Sequence, residues 1–354
     1  MNILIAADSF KGSCSARQVT DTIERAAKNV IPDVTITKMP VADGGEGTVD
    51  AWVAAMKGTK VSVPAHDPLG RPITAEYGLL PDGSAVIETA AASGLTLLKP
   101  EERDALHAST FGTGELIRHA LEHRVKKIIL GLGGSATTDG GAGLAGALGI
   151  SFLDKDGKEL EPGGVHLREL ASISTDGLLR EAAGCEFLVA CDVKNHLCGA
   201  LGAATVFGPQ KGADEEQVKI LDAALAHYAA VLKDKLHCAA ADTDGSGAAG
   251  GLLFGILPYF PVTICSGIDL VLDLPDFDQH VKQADLVLTG QRRLDFQSAL
   301  GKVPVGVAER AKKVRNVPVV AIAGMITSAA RMAASVSKRA TFDADSGIFS
   351  LSDK

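Results

Sequence analysis

The chain has 354 residues, with 35 Lys and Arg against 43 Asp and Glu, for a formal net charge of −8. That acidity excludes a nucleic-acid binder held by phosphate contacts, and no uninterrupted apolar run approaches the roughly 18 residues of a membrane span. With 46% hydrophobic residues, 22% charged, only 4% aromatic and 39 glycines, the composition points to a closely packed α/β enzyme of two domains.

In chain order, Asn2–Ala7 reads as a buried parallel strand and not as a secretory signal, because its apolar run meets Asp8 at once. A helix is expected over 15–29, with apolar positions at Val19, Ile23, Ala26 and Ala27, then a strand over 34–40 and a helix over 47–56. This β-α-β-α opening is the grammar of a doubly wound parallel sheet. Residues 60–270 follow another rhythm, with hairpin-like segments LLPDGSAVIE and SFLDKDGKEL and helices over 113–123 and 215–236. The first grammar then returns as a strand over 285–289, a helix over 304–313 opened by Pro304, and a strand over 317–323. The expected fold is α/β with two domains: a Rossmann-like or flavodoxin-like doubly wound domain from 1–59 plus 271–354, and a Gly-rich α+β domain, 60–270, inserted in it. Six cysteines without a CxxC pair read as reduced thiols of a cytoplasmic protein.

Residues 127–147, KKIILGLGGSATTDGGAGLAG, say most about function. An apolar strand-like run ends in a Gly-dense turn carrying Ser135, Thr137, Thr138 and Asp139, ahead of small helix formers. Such a junction offers an anion converging backbone N–H groups and a favourable helix dipole. The turn lacks the Gly-Lys-Ser/Thr ending of a P-loop. Gly131, Gly133 and Ala136 fit the loose dinucleotide spacing, with Asp154 roughly 20 residues on. Nucleotide phosphate, a nicotinamide dinucleotide and a plain tight turn all remain open on these residues.

Further polar clusters follow apolar runs at Asp8-Ser9-Phe10-Lys11, at Asp43-Gly44-Gly45-Glu46 and over 290–295. Ligands of open α/β sheets bind beyond the carboxyl ends of strands, so these clusters are informative together. Asp43 and Glu46 suit Mg²⁺ as hard oxygen donors, or cap the helix that follows. Asp8 and Lys11 suit phosphoryl chemistry, or form a surface ion pair. Asp192, after the apolar run FLVAC, is a further candidate. Lys211, in the turn Gln210-Lys211-Gly212, reads as a phosphate or carboxylate partner or as a solvated lysine. His119 and His123, set among Arg118, Glu122 and Arg124, read as a solvated helix face. No nucleophile elbow or Ser-His-Asp order supports hydrolysis.

These clusters, in this order, resemble the bacterial glycerate kinase family. The matching segments are ADSFKGS (7–13), ADGGEGT (42–48), ETAAASGL (88–95), FGTGELI (111–117), GLGGSATTDGGAG (131–143) and CDVKN (191–195). VFGPQKGA (206–213), GAAGGL (247–252), DLVLTG (285–290), LDFQSALGKVPVGVA (294–308) and VPVVAIAG (317–324) extend the resemblance over nearly the whole chain to about residue 324. It implies ATP- and Mg²⁺-dependent phosphorylation of D-glycerate, at the 2-hydroxyl ahead of the 3-hydroxyl, in an interdomain active site. On this resemblance Gly133, Gly134, Ser135, Thr137, Thr138, Gly140 and Gly141 would hold the ATP phosphates. Asp43, Glu46 and Asp139 would hold the metal. Asp8, Lys11, Asp192, Lys211, Arg293 and Asp295 would carry catalysis, with Asp192 the favoured proton acceptor. The implied partners are small molecules, neither nucleic acid nor membrane, and the reading allows a homodimer.

Two departures stand out. The family reads Glu-Gly-Arg where this chain has Gln291-Arg292-Arg293, which removes a carboxylate and puts a bulky cation where close approach or a positive φ is expected. The segment after residue 324 also leaves the family pattern. They keep open a paralogue that binds without turnover. A nicotinamide-dependent hydroxy-acid oxidoreductase rests on the Gly131, Gly133 and Ala136 spacing.

Overall fold

The computed structural model describes residues 1–10, 13–42, 44–273, 276–294, 303–326, 341–343 and 348–351. The chain divides into two compact units, Met1–Met56 with Ser266–Lys354, and Lys57–Cys265.

The first unit opens with β1 (Asn2–Ala7), α1 (Ala16–Val30), β2 (Thr35–Lys38) and α2 (Thr48–Met56). β1 carries an unbroken run of buried residues after Asn2, the mark of a strand covered on both faces. α1 starts with a capping box: Ser15 accepts from the Gln18 N–H while the Gln18 side chain returns to the Ser15 N–H. The inserted unit contributes β3 (Thr59–His66), β4 (Pro72–Leu79), β5 (Ser84–Glu88), α3 (Ala90–Ser93), α4 (Phe111–Glu122), β6 (Lys127–Gly131) and α5 (Ala142–Ala147). It continues through β7 (Ser151–Leu153), β8 (Ser172–Ser174), β9 (Glu186–Ala190), α6 (Ala203–Phe207), α7 (Glu215–Leu236), α8 (Leu252–Ile256) and β10 (Val262–Cys265). The chain returns to the first unit with α9 (Gly267–Leu272), α10 (Phe277–Gln283), β11 (Leu286–Leu294), α11 (Val303–Val314), β12 (Val319–Ile326), β13 (Thr341–Asp343) and β14 (Ile348–Leu351).

The sheet of the first unit runs β13-β14-β12-β11-β1-β2, with β12, β11, β1 and β2 parallel and β14 and β13 added antiparallel at the edge. The β1–α1–β2 crossover moves one way along this sheet and β11–α11–β12 the other. Right-handed crossovers then place α1 and α11 on opposite faces, which is the expected doubly wound pattern. The strand order reverses between β1 and β11. There Ala7 lies in register with Gly290, and the Asp8 N–H donates to the Gly290 carbonyl at 2.9 Å.

The sheet of the inserted unit runs β10-β9-β6-β5-β4-β3. β3, β4 and β5 form antiparallel pairs, and LLPDGSAVIE folds as the expected β4–β5 hairpin. SFLDKDGKEL makes only one bridge, Leu153 to Glu159, and β7 pairs with β8 instead. β5, β6, β9 and β10 run parallel, a half-sheet that the hairpin rhythm did not announce. Leu116, Ile117, Ala120 and Leu121 of α4 share one core with Ile87, Ile128 and Leu130. α7 keeps its expected bounds because the Asp214–Gln217 capping box opens it and His237, at φ 55°, closes it. No helix of the described residues is long and apolar enough to cross a membrane.

Candidate active site

In the inserted unit β5, β6 and β9 end side by side: Glu88 is in register with Gly131, and Gly131 with Ala190. The chain beyond them brings residues 88–93, 131–139 and 191–195 to one sheet edge, where open α/β sheets bind ligands. The glycine-rich loop is fastened there along its length. The Leu95 N–H donates to the Gly134 carbonyl at 2.9 Å, and the Ala136 N–H to the Ser93 carbonyl at 2.8 Å. Lys211 Nζ donates to Ser135 Oγ at 3.1 Å and to the Thr137 carbonyl at 2.5 Å. Gly140 gives its N–H to the Gly250 carbonyl at 3.0 Å.

The helix end after the loop does not wait for an external anion. Asp139 fills it. Its Oδ2 accepts from the Thr110 N–H at 2.7 Å, Thr110 Oγ1 at 2.8 Å and the Gly143 N–H at 3.2 Å, and its Oδ1 from the Gly141 N–H at 3.1 Å. Thr110 Oγ1 in turn accepts from the Leu144 N–H at 2.8 Å. The carboxyl is fully buried; burial pushes its pKa up, while the Thr110, Gly141 and Gly143 donors pull it back down.

This arrangement bears on several expectations. Both oxygens of Asp139 accept from protein donors. Gly140 and Gly141 give their N–H groups to the Gly250 carbonyl and to Asp139 Oδ1. Thr137 and Thr138 are wholly buried, and their hydroxyls find no hydrogen-bond partner among the described residues. Ser135 is buried and bonded to Lys211. What the loop presents is Gly133, half-buried, and Gly134, exposed, whose N–H groups find no acceptor among the described residues. Lys211 is only 2% exposed, and burial pushes its pKa down to about 7, with Asp139 acting in the opposite sense. A solvated lysine is therefore excluded. Asp192 is exposed just past β9.

A wall behind the loop comes from GAAGGL, to which the sequence assigned no chemistry. Ala249, Gly250 and Gly251 are consecutively left-handed, at φ 50°, 71° and 89°. Cβ atoms added at Gly250 or Gly255 would overlap the Thr137 and Gly140 carbonyls, so these glycines allow the two backbones to touch. Sequence reasoning also missed Thr110. A Ser-Thr pair before an apolar-periodic helix is a capping signal that could have found it.

In the first unit, Asp8 is buried at the end of β1, and its Oδ1 accepts from the Ser9 N–H at 2.6 Å. Gln291 is buried in β11 and its Nε2 donates to the Arg293 carbonyl at 2.6 Å. Arg292 and Arg293 are exposed within the same strand, so the bulky Arg292 sits in extended backbone and needs no positive φ. Glu46 is exposed ahead of α2. Lys11, Asp43 and Asp295 lie outside the described residues.

Among the described residues no group of three or more His, Cys, Asp or Glu is arranged to hold a metal. A Mg²⁺ ion keeps water and phosphate ligands and takes only one or two carboxylates from a protein, so it does not require such a group. Asp154, the acidic residue of the dinucleotide spacing, has a local role in this structure. The Asp154 carboxylate accepts from the Asp156 and Lys158 N–H groups at 2.8 and 2.9 Å and closes a turn.

A family profile described as the glycerate kinase family matches residues 3–353. A glycerate kinase of Bacillus subtilis (strain 168) is 48% identical over 328 residues, covering 92% of this chain and 86% of the relative. A glycerate 2-kinase of Escherichia coli (strain K12) is 46% identical over the same length and coverage. A crystal structure from Salmonella typhimurium LT2, provisionally named glycerate kinase 2, superposes with a TM-score of 0.82 at 44% identity, covering 94% of each chain.

Proposed function

Because the chain belongs to the glycerate kinase family, we propose that it transfers the γ-phosphoryl group of ATP to the 2-hydroxyl of D-glycerate with Mg²⁺. The observation that supports this reading is the strand-end edge of the inserted unit, where the N–H groups of Gly133 and Gly134 lie open and Asp192 follows β9. Phosphoryl transfer needs positioning and charge stabilisation more than covalent chemistry. Gly133 and Gly134 would receive nucleotide phosphate oxygens through their backbone, and Asp192 would accept the substrate hydroxyl proton. Bound Mg²⁺ would neutralise charge on the phosphates. Asp8, Lys11, Asp43, Arg293 and Asp295 are carried on the family resemblance. The name of the Escherichia coli relative favours the 2-hydroxyl.

The test is ADP release in the presence of D-glycerate, with phosphorus NMR of the product. The expected result is 2-phosphoglycerate, with turnover lost when EDTA removes Mg²⁺. A 3-phosphoglycerate product would overturn the regiochemistry, and no glycerate-dependent ADP release would overturn the kinase reading.

Gln291 bears on whether the site is impaired. Its amide has a use that the family's glutamate lacks, since a carboxylate has no proton to donate to the Arg293 carbonyl. Gln291→Glu is therefore expected to cost about 1–3 kcal/mol, read as a lowered Tm, with no gain in turnover. A large gain in kcat for the Gln291→Glu, Arg292→Gly double variant would instead identify this chain as a damaged paralogue.

A further inference from the structure

We propose that Lys211 is a positioning residue that fixes the shape of the 133–138 loop from its buried side and touches no substrate. The proposal deepens the kinase reading, and only its kinetic arm rests on that reading.

The geometry turns the ammonium into the loop. Lys211 is 2% exposed, and it donates to Ser135 Oγ and to the Thr137 carbonyl, the neighbours of Ala136 on either side. Ala136 itself is tied to the Ser93 carbonyl. One cation thus pins both flanks of a residue that is already anchored, and Gly133 and Gly134 emerge from a fixed base. The base from which Lys211 reaches is equally constrained. The Lys211 and Ala213 N–H groups both return to the Gly208 carbonyl, at 2.9 and 3.1 Å, and Arg103 donates to the Gln210 carbonyl at 3.2 Å. Gly212 is left-handed at φ 97°, and its Cα faces the Arg103 backbone.

A buried ammonium is a costly way to fill space, as its lowered pKa reflects. An apolar side chain would fill the same volume but leave the Thr137 carbonyl without its donor. An ammonium supplies several donors from one compact point, which suits two acceptors on one short stretch of backbone.

The experiment compares the parent with Lys211→Met and Ser135→Ala in the full chain without ligand, by amide hydrogen exchange. In Lys211→Met, peptides covering 131–140 should exchange about tenfold faster or more, while peptides from β1 and α7 stay near the parent. In steady state, KM for ATP should rise about tenfold and kcat should fall, with KM for D-glycerate changed less than about twofold. Ser135→Ala should show the same pattern more weakly, and the double variant should be no worse than Lys211→Met alone. Unchanged loop exchange with a raised KM for ATP would mean direct nucleotide contact and overturn the proposal. If Lys211→Met loosens the whole unit, Ser135→Ala decides, and unchanged loop exchange there also overturns it. A parent without kinase activity would sink the kinase reading and leave the exchange result to stand or fall by itself.

Discussion

Asp139→Ala is expected to lower the stability of the inserted unit by about 3–5 kcal/mol, seen as a large drop in Tm that is the same with Mg²⁺ and with EDTA. The truncation strips the acceptor from the Thr110, Gly141 and Gly143 N–H groups at once, all in a buried setting. Each orphaned donor costs about 1–3 kcal/mol, though relaxation keeps the sum below simple addition. Asp139→Asn should recover part of the loss, because one oxygen remains while the new NH₂ group faces donors. The Mg²⁺ comparison carries the decision. A metal ligand would lose stability only where metal had been bound, whereas an internal anion at a helix start loses it in either buffer.

Gly250→Ala is the second large effect. Its backbone is left-handed at φ 71°, and an added Cβ would overlap the Thr137 carbonyl that Lys211 also holds. Strain of about 1–2 kcal/mol from the dihedral and a further 1–3 kcal/mol from forced displacement are expected, with ATP binding lost as the loop moves. Gly157→Ala is the control. That glycine is also left-handed, at φ 77°, but nothing lies within 4 Å of its added Cβ, so it should cost only about 1–2 kcal/mol and leave turnover intact. Equal losses in the two variants, or normal ATP affinity in Gly250→Ala, would show that the contact with the loop is dispensable.

Sequence alone was informative where local chemistry decides local form. β1 announced itself by an unbroken apolar run and α7 as a helix over 215–236, and both have their expected bounds. The parallel half of the inserted sheet was harder to read. Short apolar runs such as β6 and β9 look the same in parallel and antiparallel company, and pairing is decided by partners far along the chain. In the candidate site, the pattern identified the loop but not its sides. A charged residue beside a glycine-rich turn reads as facing the ligand, and Asp139 and Lys211 both face inward. The burial of Thr137 and Thr138 was illegible for the same reason, since hydroxyl content says nothing of burial. Arg292 erred in the other direction: a residue expected to strain the backbone lies comfortably in a strand.

The pairing of β1 with β11 has a temporal consequence. These strands are neighbours in the sheet, yet the whole inserted unit separates them in the chain. During synthesis β1 and α1 emerge first but have no β11 to pair with, while residues of the inserted unit find their partners among themselves. The contiguous unit can therefore complete its core on the ribosome, and the first unit closes only after its last strands are released. Bringing such distant segments together is slow, because the entropy of closing a long loop is lost before any contact compensates. The half-made first unit, with the edges of β1 and β2 exposed, is then the stage most open to aggregation and to chaperone capture.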